Sequence, residues 1–203
     1  DFSPEINYHK HYINRYAFLF NEYIGNKYVY LPELSLRYTG QKTFQFDNSH
    51  KTIALYLGGE NKEFRKYPDE YAVQLLRLLN RQGYNLLLIG DENDNIKHTQ
   101  YAEEARIDHL INLTARTTIE GFINTIANVD LIITIDSSAL HIAAAVKTPF
   151  IALMGLSTSP TSTILPKVPL GRILKIENNL IREEDYIRNI TPDLILKTIS
   201  ELI

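Results

Sequence analysis

The stretch from Asp130 to Gly155 leaves the backbone few choices. Leu131-Ile-Ile-Thr-Ile135 is an unbroken run of β-branched and apolar residues without polar alternation. That is the pattern of a strand covered on both faces. Asp136-Ser137-Ser138 follows, then an alanine-rich segment to Val146 with His141 in its first turns. Thr148-Pro149 ends the segment, and Phe150 to Met154 is a second apolar strand closing at Gly155. Two such strands so close together predict parallel pairing through a right-handed crossover helix over 138–146. Backbone N–H groups, hydroxyls, a carboxylate and an imidazole then gather at the carboxyl edge of a sheet. Open α/β sheets bind ligands at that edge, and a helix N-terminus there favours an anion such as a diphosphate.

The same alternation extends upstream. Thr52 to Leu57 reads as a strand ended by Gly58-Gly59, and Pro68 to Gln82 as a helix with Gly83 behind it. Tyr84 to Ile89 is a strand ending at Gly90, Asn93 to Ala105 a weakly patterned helix, and Leu110 to Leu113 a short strand. A helix opens at Thr118-Ile-Glu120 and runs to about Asn128. Downstream, Ile173 to Ile176 is a late strand, and Thr191-Pro192 starts a final helix reaching Ile203. These elements predict an α/β fold: a Rossmann-like, mostly parallel sheet with helices on both faces, over residues 50–203. Residues 1–49 read as a bridging helix from His9 to Tyr23, stopped at Gly25, and a linker, Tyr28 to Pro32 and then a polar stretch, with room for one short strand.

Composition narrows the function. The formal net charge of -3 gives no electrostatic footprint for nucleic acid. The chain has no cysteine, which excludes a disulfide scaffold, a thiol nucleophile and a zinc–cysteine site, and suits a reducing cytoplasm. No apolar run is long enough to predict a membrane span. The histidines show no ligand spacing, so no metal is expected.

Several groups could carry chemistry, and each has a plain structural reading beside it. Asp136, Ser137 and Ser138 could simply cap a helix, with His141 a satisfied helix residue. Arg65 and Lys66, just before the first crossover helix, could hold a phosphate or form a solvated basic loop. Glu92, in Gly90-Asp91-Glu92, could accept from ribose hydroxyls or belong to a turn with an acidic helix start. Arg116-Thr117-Thr118-Ile119-Glu120 reads most simply as a capping box, and Thr117 could face the same edge. Small residues after His141 would let a ligand come close.

In their order these pieces resemble the carboxyl-terminal, donor-binding half of glycosyltransferase family 9, the ADP-heptose:lipopolysaccharide heptosyltransferases. That family has two facing Rossmann-like domains, the GT-B arrangement. Its motif Asp-(Thr/Ser)-Gly-x-x-His-x-Ala-Ala-Ala resembles Asp136-Ser-Ser-Ala-Leu-His141-Ile-Ala-Ala-Ala145, followed here by Thr148-Pro149 and Gly155. A basic-x-Trp-Pro motif resembles Arg65-Lys66-Tyr67-Pro68, a Gly-x-Glu resembles Gly90-Asp91-Glu92, and a Leu-Glu resembles Ile119-Glu120. The likeness covers about residues 50–160. It departs at Ser138 for the motif glycine, Arg65 for the usual lysine, Tyr67 for tryptophan, and Leu156-Ser157 for Pro-Thr.

The resemblance implies roles. Asp136, Ser137 and Ser138 would receive the donor diphosphate with His141 nearby. Arg65, beside Lys66, would pair with phosphate. Glu92 would hold the ribose, and Thr117 would lie near adenine. The donor would be an ADP-linked sugar, a heptose, used as substrate with no further cofactor. The acceptor would be a lipopolysaccharide-core or other glycan, or a lipid-linked one, reached through an amino-terminal domain that also supplies the general base. The chain alone is therefore expected to be inactive, with no catalytic residue assigned in it. Expected surroundings are the cytoplasm, at the inner face of the inner membrane, with at most peripheral membrane contact and no nucleic-acid partner. The alternative is a nonenzymatic nucleotide-binding or regulatory α/β module. A phospho-receiver is disfavoured, because Gly58-Gly59-Glu60 stands where its acidic cluster would be. Hydrolysis is disfavoured by the lack of Gly-x-Ser-x-Gly.

Overall fold

The computed structural model describes residues 23–25, 35–58, 66–155, 166, 169–175 and 185–203. Nearly all of the bridging helix, the Tyr28–Pro32 strand and Arg65 lie outside these. Six strands form one sheet: β1 (Thr52–Tyr56), β2 (Asn85–Leu88), β3 (Leu110–Asn112), β4 (Leu131–Ile135), β5 (Phe150–Met154) and β6 (Gly171–Lys175). Their order is β3-β2-β1-β4-β5-β6, and every pairing is parallel. Among the described residues, the helices given whole are α1 (Asp69–Arg81), α2 (Asn95–Ala105), α3 (Ile119–Ala127), α4 (Ser138–Val146) and α5 (Pro192–Ile199).

Why both faces must be covered follows from the strands themselves. β4 and β5 are buried at every position. Alternate residues point to opposite sides. Ile53, Leu55, Ile133 and Leu153 join one core layer with α1, α2 and α5. Ala54, Ile132 and Ala152 join the other, with α3 and α4. The alanines of α4 serve this second layer. Ala139, Ala143 and Ala144 are buried in it, so their small size lets the helix approach its neighbours, while Ala145 is half-buried.

Boundaries shift where local capping overrides the apolar pattern. The helix expected from Asn93 begins at Asn95, because Glu92–Asp94 forms a 3-10 turn. Asp91 accepts the Asn93 N–H at 2.8 Å while Asp94 accepts the Asp91 N–H at 3.3 Å. The Thr117/Thr118 capping box is only half made. Thr118 is the cap and accepts from Gly121 N–H at 3.1 Å, which puts Glu120 one residue short of the reciprocal position. β6 starts at Gly171, earlier than expected, where the Phe150 ring leaves no room for a side chain. α5 stops at Ile199, with Thr191 as its cap and Pro192 at its first position.

Residues 35–50 contain no helix or strand, yet part of this linker is fastened to the domain. Asn124, buried on α3, accepts the Gly40 N–H at 3.1 Å and donates to Thr39 Oγ1 at 2.9 Å. Phe44 and Phe46 pack on the second core layer.

On the opposite face the packing is polar as well as apolar. Tyr67, almost fully buried, donates its hydroxyl to the Ile190 carbonyl at 2.9 Å, and burial pushes its phenol far above the ordinary range. Asp69 takes hydrogen bonds from Lys97 and Tyr101, tying α1 to α2. Partial burial pushes the Asp69 carboxyl up, but those two bonds and the Lys97 charge outweigh it and hold the group below its ordinary value.

His98 is fully buried, with Nδ1 2.7 Å from Thr114 Oγ1 and Nε2 without a partner. Burial lowers its pKa from 6.5 to about 4, against a smaller upward pull from Asp91. The folded value lies below the unfolded one, so between them the unfolded chain binds a proton the folded chain refuses. The contribution is therefore complete above pH 6.5 and is lost as pH falls toward 4. Urea unfolding at pH 7 and pH 5 should give a drop of about 2 kcal/mol from this group. The drop should shrink by that amount in His98→Gln; an equal drop in both proteins would show that His98 is not its source.

Candidate functional site

The strand order reverses direction between β1 and β4, so their crossover connections leave toward opposite faces and open a crevice at the carboxyl edge. Tyr56 pairs with Thr134, which brings Gly58, two residues on, beside Asp136. On the other side, Leu88 pairs with Asn112, and the Ala115 N–H donates to the Gly90 carbonyl at 3.1 Å. Thr117, Glu92 and the 136–141 segment therefore follow the ends of β3, β2 and β4, and Lys66 comes beside the end of β1, where the Tyr67 N–H donates to the Leu57 carbonyl at 3.4 Å. At the usual strand spacing of about 4.8 Å, β3 and β4 lie about 14 Å apart.

Each predicted residue has a definite place. Asp136, Ser137 and His141 are half-buried, and Ser138 is exposed at the first position of α4. Glu92 is exposed on the 3-10 turn, Thr117 and Lys66 are half-buried, and Arg65 lies outside the described residues. Tyr67, at the family's tryptophan position, belongs to the core. Thr148 is also structural: its hydroxyl donates to the Ile126 carbonyl at 2.8 Å.

The start of α4 differs from those of α3 and α5, and resembles those of α1 and α2 in having no side-chain cap bond. Ser137 occupies the cap position, yet its side chain accepts no bond from the helix. Its Oγ lies 2.9 Å from Thr134 Oγ1. Thr134 donates its own hydrogen to the Ile135 carbonyl at 3.0 Å, so Ser137 is the donor in the pair. Residue 137 is then left to meet an anion through its backbone, and the exposed Ser138 through its hydroxyl. The plain capping reading thus holds for Thr118 and Thr191 but not for Ser137.

Next to this corner, a cavity of about 220 Å³ opens between the starts of α1 and α2. Gly58, Lys66, Asp69, Asp94, Lys97 and His98 are among its walls. Of the predicted set, Lys66 is among its walls. Sequence reasoning missed Asp94 and His98; both are buried, and neither sits in a recognisable motif. Among the described residues, no group of three or more His, Asp or Glu is placed to hold a metal ion, and no helix is long and apolar enough to cross a membrane.

The sequence model of glycosyltransferase family 9 (heptosyltransferase) matches residues 2–184. The chain belongs to this family. It is 31% identical over 158 residues to lipooligosaccharide heptosyltransferase 2 of Haemophilus influenzae, covering 72% of this chain and 45% of that protein. It is 24% identical over 172 residues to lipopolysaccharide heptosyltransferase 2 of Escherichia coli K12, covering 79% and 49%. Two solved structures share the fold. E. coli heptosyltransferase WaaC with ADP aligns at a TM-score of 0.72 with 16% identity, over 98% of this chain and 59% of that one. E. coli ADP-heptose lps heptosyltransferase II aligns at 0.66 with 24% identity, over 75% and 46%. The chain thus spans about half the length of the curated family 9 relatives it matches.

The contrast between caps is measurable. Thr118→Ala should cost about 1 kcal/mol in urea unfolding, as loss of a helix cap does. Ser137→Ala should cost only about half of that, through its one bond to Thr134. Equal costs would mean that Ser137 caps its own helix after all.

Proposed function

We propose that this chain is the donor-binding half of a glycosyltransferase that moves a heptose from ADP to a lipopolysaccharide-core or related glycan acceptor. One observation carries the reading: in a family 9 chain, the start of α4 stands at the switch point between β1 and β4 without a cap from Ser137. Such a helix start is suited to a diphosphate, which would take up backbone N–H groups and the Ser138 hydroxyl. Lys66, and Arg65 beside it in sequence, would offset its charge. Glu92 and Thr117, on the ends of β2 and β3, are the groups for ribose and adenine. His141, in the second turn of α4, is close to the same corner.

In the complete enzyme the acceptor hydroxyl would attack the anomeric carbon while ADP leaves. This half would position the donor and stabilise the charge growing on the diphosphate. The general base would come from an amino-terminal domain, as would the acceptor surface. The nucleotide sugar is substrate, and no further cofactor is invoked. The expected setting is the cytoplasm, at the inner face of the inner membrane, with at most peripheral membrane contact.

Calorimetric titration with ADP, UDP and GDP tests the reading. ADP should bind at least about tenfold tighter than UDP or GDP, and ADP-heptose should bind more tightly than ADP. No heptose transfer should be seen with this chain alone. Indifference to all three nucleotides would favour a nonenzymatic module, and measurable transfer would refute the view that the chain is half an enzyme.

A further inference from the structure

The turn from Leu113 to Thr118, between β3 and α3, carries Thr117 to the crevice, and Thr114 is its one fully buried residue. Its backbone is unusual. Among the described residues, three that are not glycine have a positive φ: Arg106, Ala115 and Lys147. Arg106 and Lys147 follow the last turns of α2 and α4, where a left-handed residue is ordinary. Ala115, with a φ of 59°, ends no helix. A left-handed alanine is strained and persists only where its surroundings over-determine it.

Those surroundings are specific. Asn112 Oδ1 accepts the Thr114 N–H at 3.0 Å, the Gly90 carbonyl accepts the Ala115 N–H at 3.1 Å, and the Leu113 carbonyl accepts the Arg116 N–H at 3.0 Å. The side chain of Thr114 is held from another element. His98, on α2, places Nδ1 2.7 Å from Thr114 Oγ1, and both residues are fully buried. The imidazole rests beside the Tyr101 ring, with centroids 5.8 Å apart. Its Nε2 has no partner, and burying a polar atom unpaired is unfavourable. An apolar side chain would fill the same space without that cost. The core therefore gives no reason for a histidine here, whereas the turn does. We propose that His98 is a positioning residue for base recognition: through Thr114 it latches the turn after β3 and so fixes where Thr117 meets the purine. Without the latch, Ala115 relaxes toward an ordinary φ and Thr117, two residues on, moves with it. This rests on the donor-binding reading above and adds to it a residue that does not touch the ligand.

The test is titration of the 203-residue chain and its variants with ADP and with UDP, melting curves being recorded alongside. Thr114→Val keeps the shape and removes the hydroxyl. It should bind ADP about fivefold more weakly, the scale of one buried hydrogen bond, while UDP affinity stays within about twofold. Thr114→Ser keeps the hydroxyl and should hold ADP within about twofold of the unsubstituted chain. Unchanged ADP affinity in a folded Thr114→Val overturns the proposal. So does equal weakening of ADP and UDP, which is what a merely loosened fold would give, and so does Thr114→Ser as weak as Thr114→Val. Should Thr114→Val fail to fold, the double substitution His98→Phe with Thr114→Val carries the test. It removes both partners and leaves neither unpaired; the same loss of ADP preference is expected, and an unchanged preference overturns the proposal. If the unsubstituted chain shows no preference for ADP, the donor-binding reading itself falls and takes this role with it; an unchanged preference in the variants removes the role alone.

Discussion

Parallel strands with apolar residues on both faces impose everything else in this structure. A strand such as Leu131–Ile135, buried at every position, cannot face water on either side. Helices must therefore cover both faces, and the connections must reverse hand at one place in the sheet. That place is the boundary between β1 and β4. The crevice there is a by-product of covering the core, and it exists before any residue in it is chosen for binding. Polar groups placed on its rim need no further scaffolding.

The two faces are secured by different means. On one, Tyr67 to the Ile190 carbonyl and Asp69 to Lys97 and Tyr101 pin α1 against the carboxyl-terminal segment and α2. On the other, Thr148 to the Ile126 carbonyl fixes α3 against the turn entering β5. Tyr67, which stands where the family motif has tryptophan, and Thr148, which matches the pattern, are thus both tied into the frame. A motif match does not by itself make a residue part of a site; its burial and its partners decide.

The fold was legible because its signal is strong. Uninterrupted apolar runs are hard to place anywhere but the middle of a parallel sheet, and the limits of β4, α4 and β5 were readable to the residue. Helix starts were less so, because short polar side chains settle them. The reciprocal bonds of Asp91 and Asp94 turn Glu92–Asp94 into a 3-10 turn that apolar periodicity does not register. The candidate site was legible only as a row of loops, since the sheet order sets residues 117, 92 and 136 after β3, β2 and β4. What sequence could not reveal was the direction of a hydroxyl. Ser137 reads as a cap until its bond to Thr134 is seen. The seat of Asp94 against Gly58 and Gly90 was hidden for a similar reason, because it brings together two glycines far apart in the chain.

The anchoring of Thr39 and Gly40 to Asn124 has a mechanical consequence. Force applied to the chain upstream of residue 39 enters the domain through α3, whose amino end stands next to Thr117. The central strands are shielded from that load by the two hydrogen bonds to the Asn124 amide and by the packing of Phe44 and Phe46. Load arriving at Thr39 and Gly40 is thus taken up by the helix whose amino end lies beside Thr117.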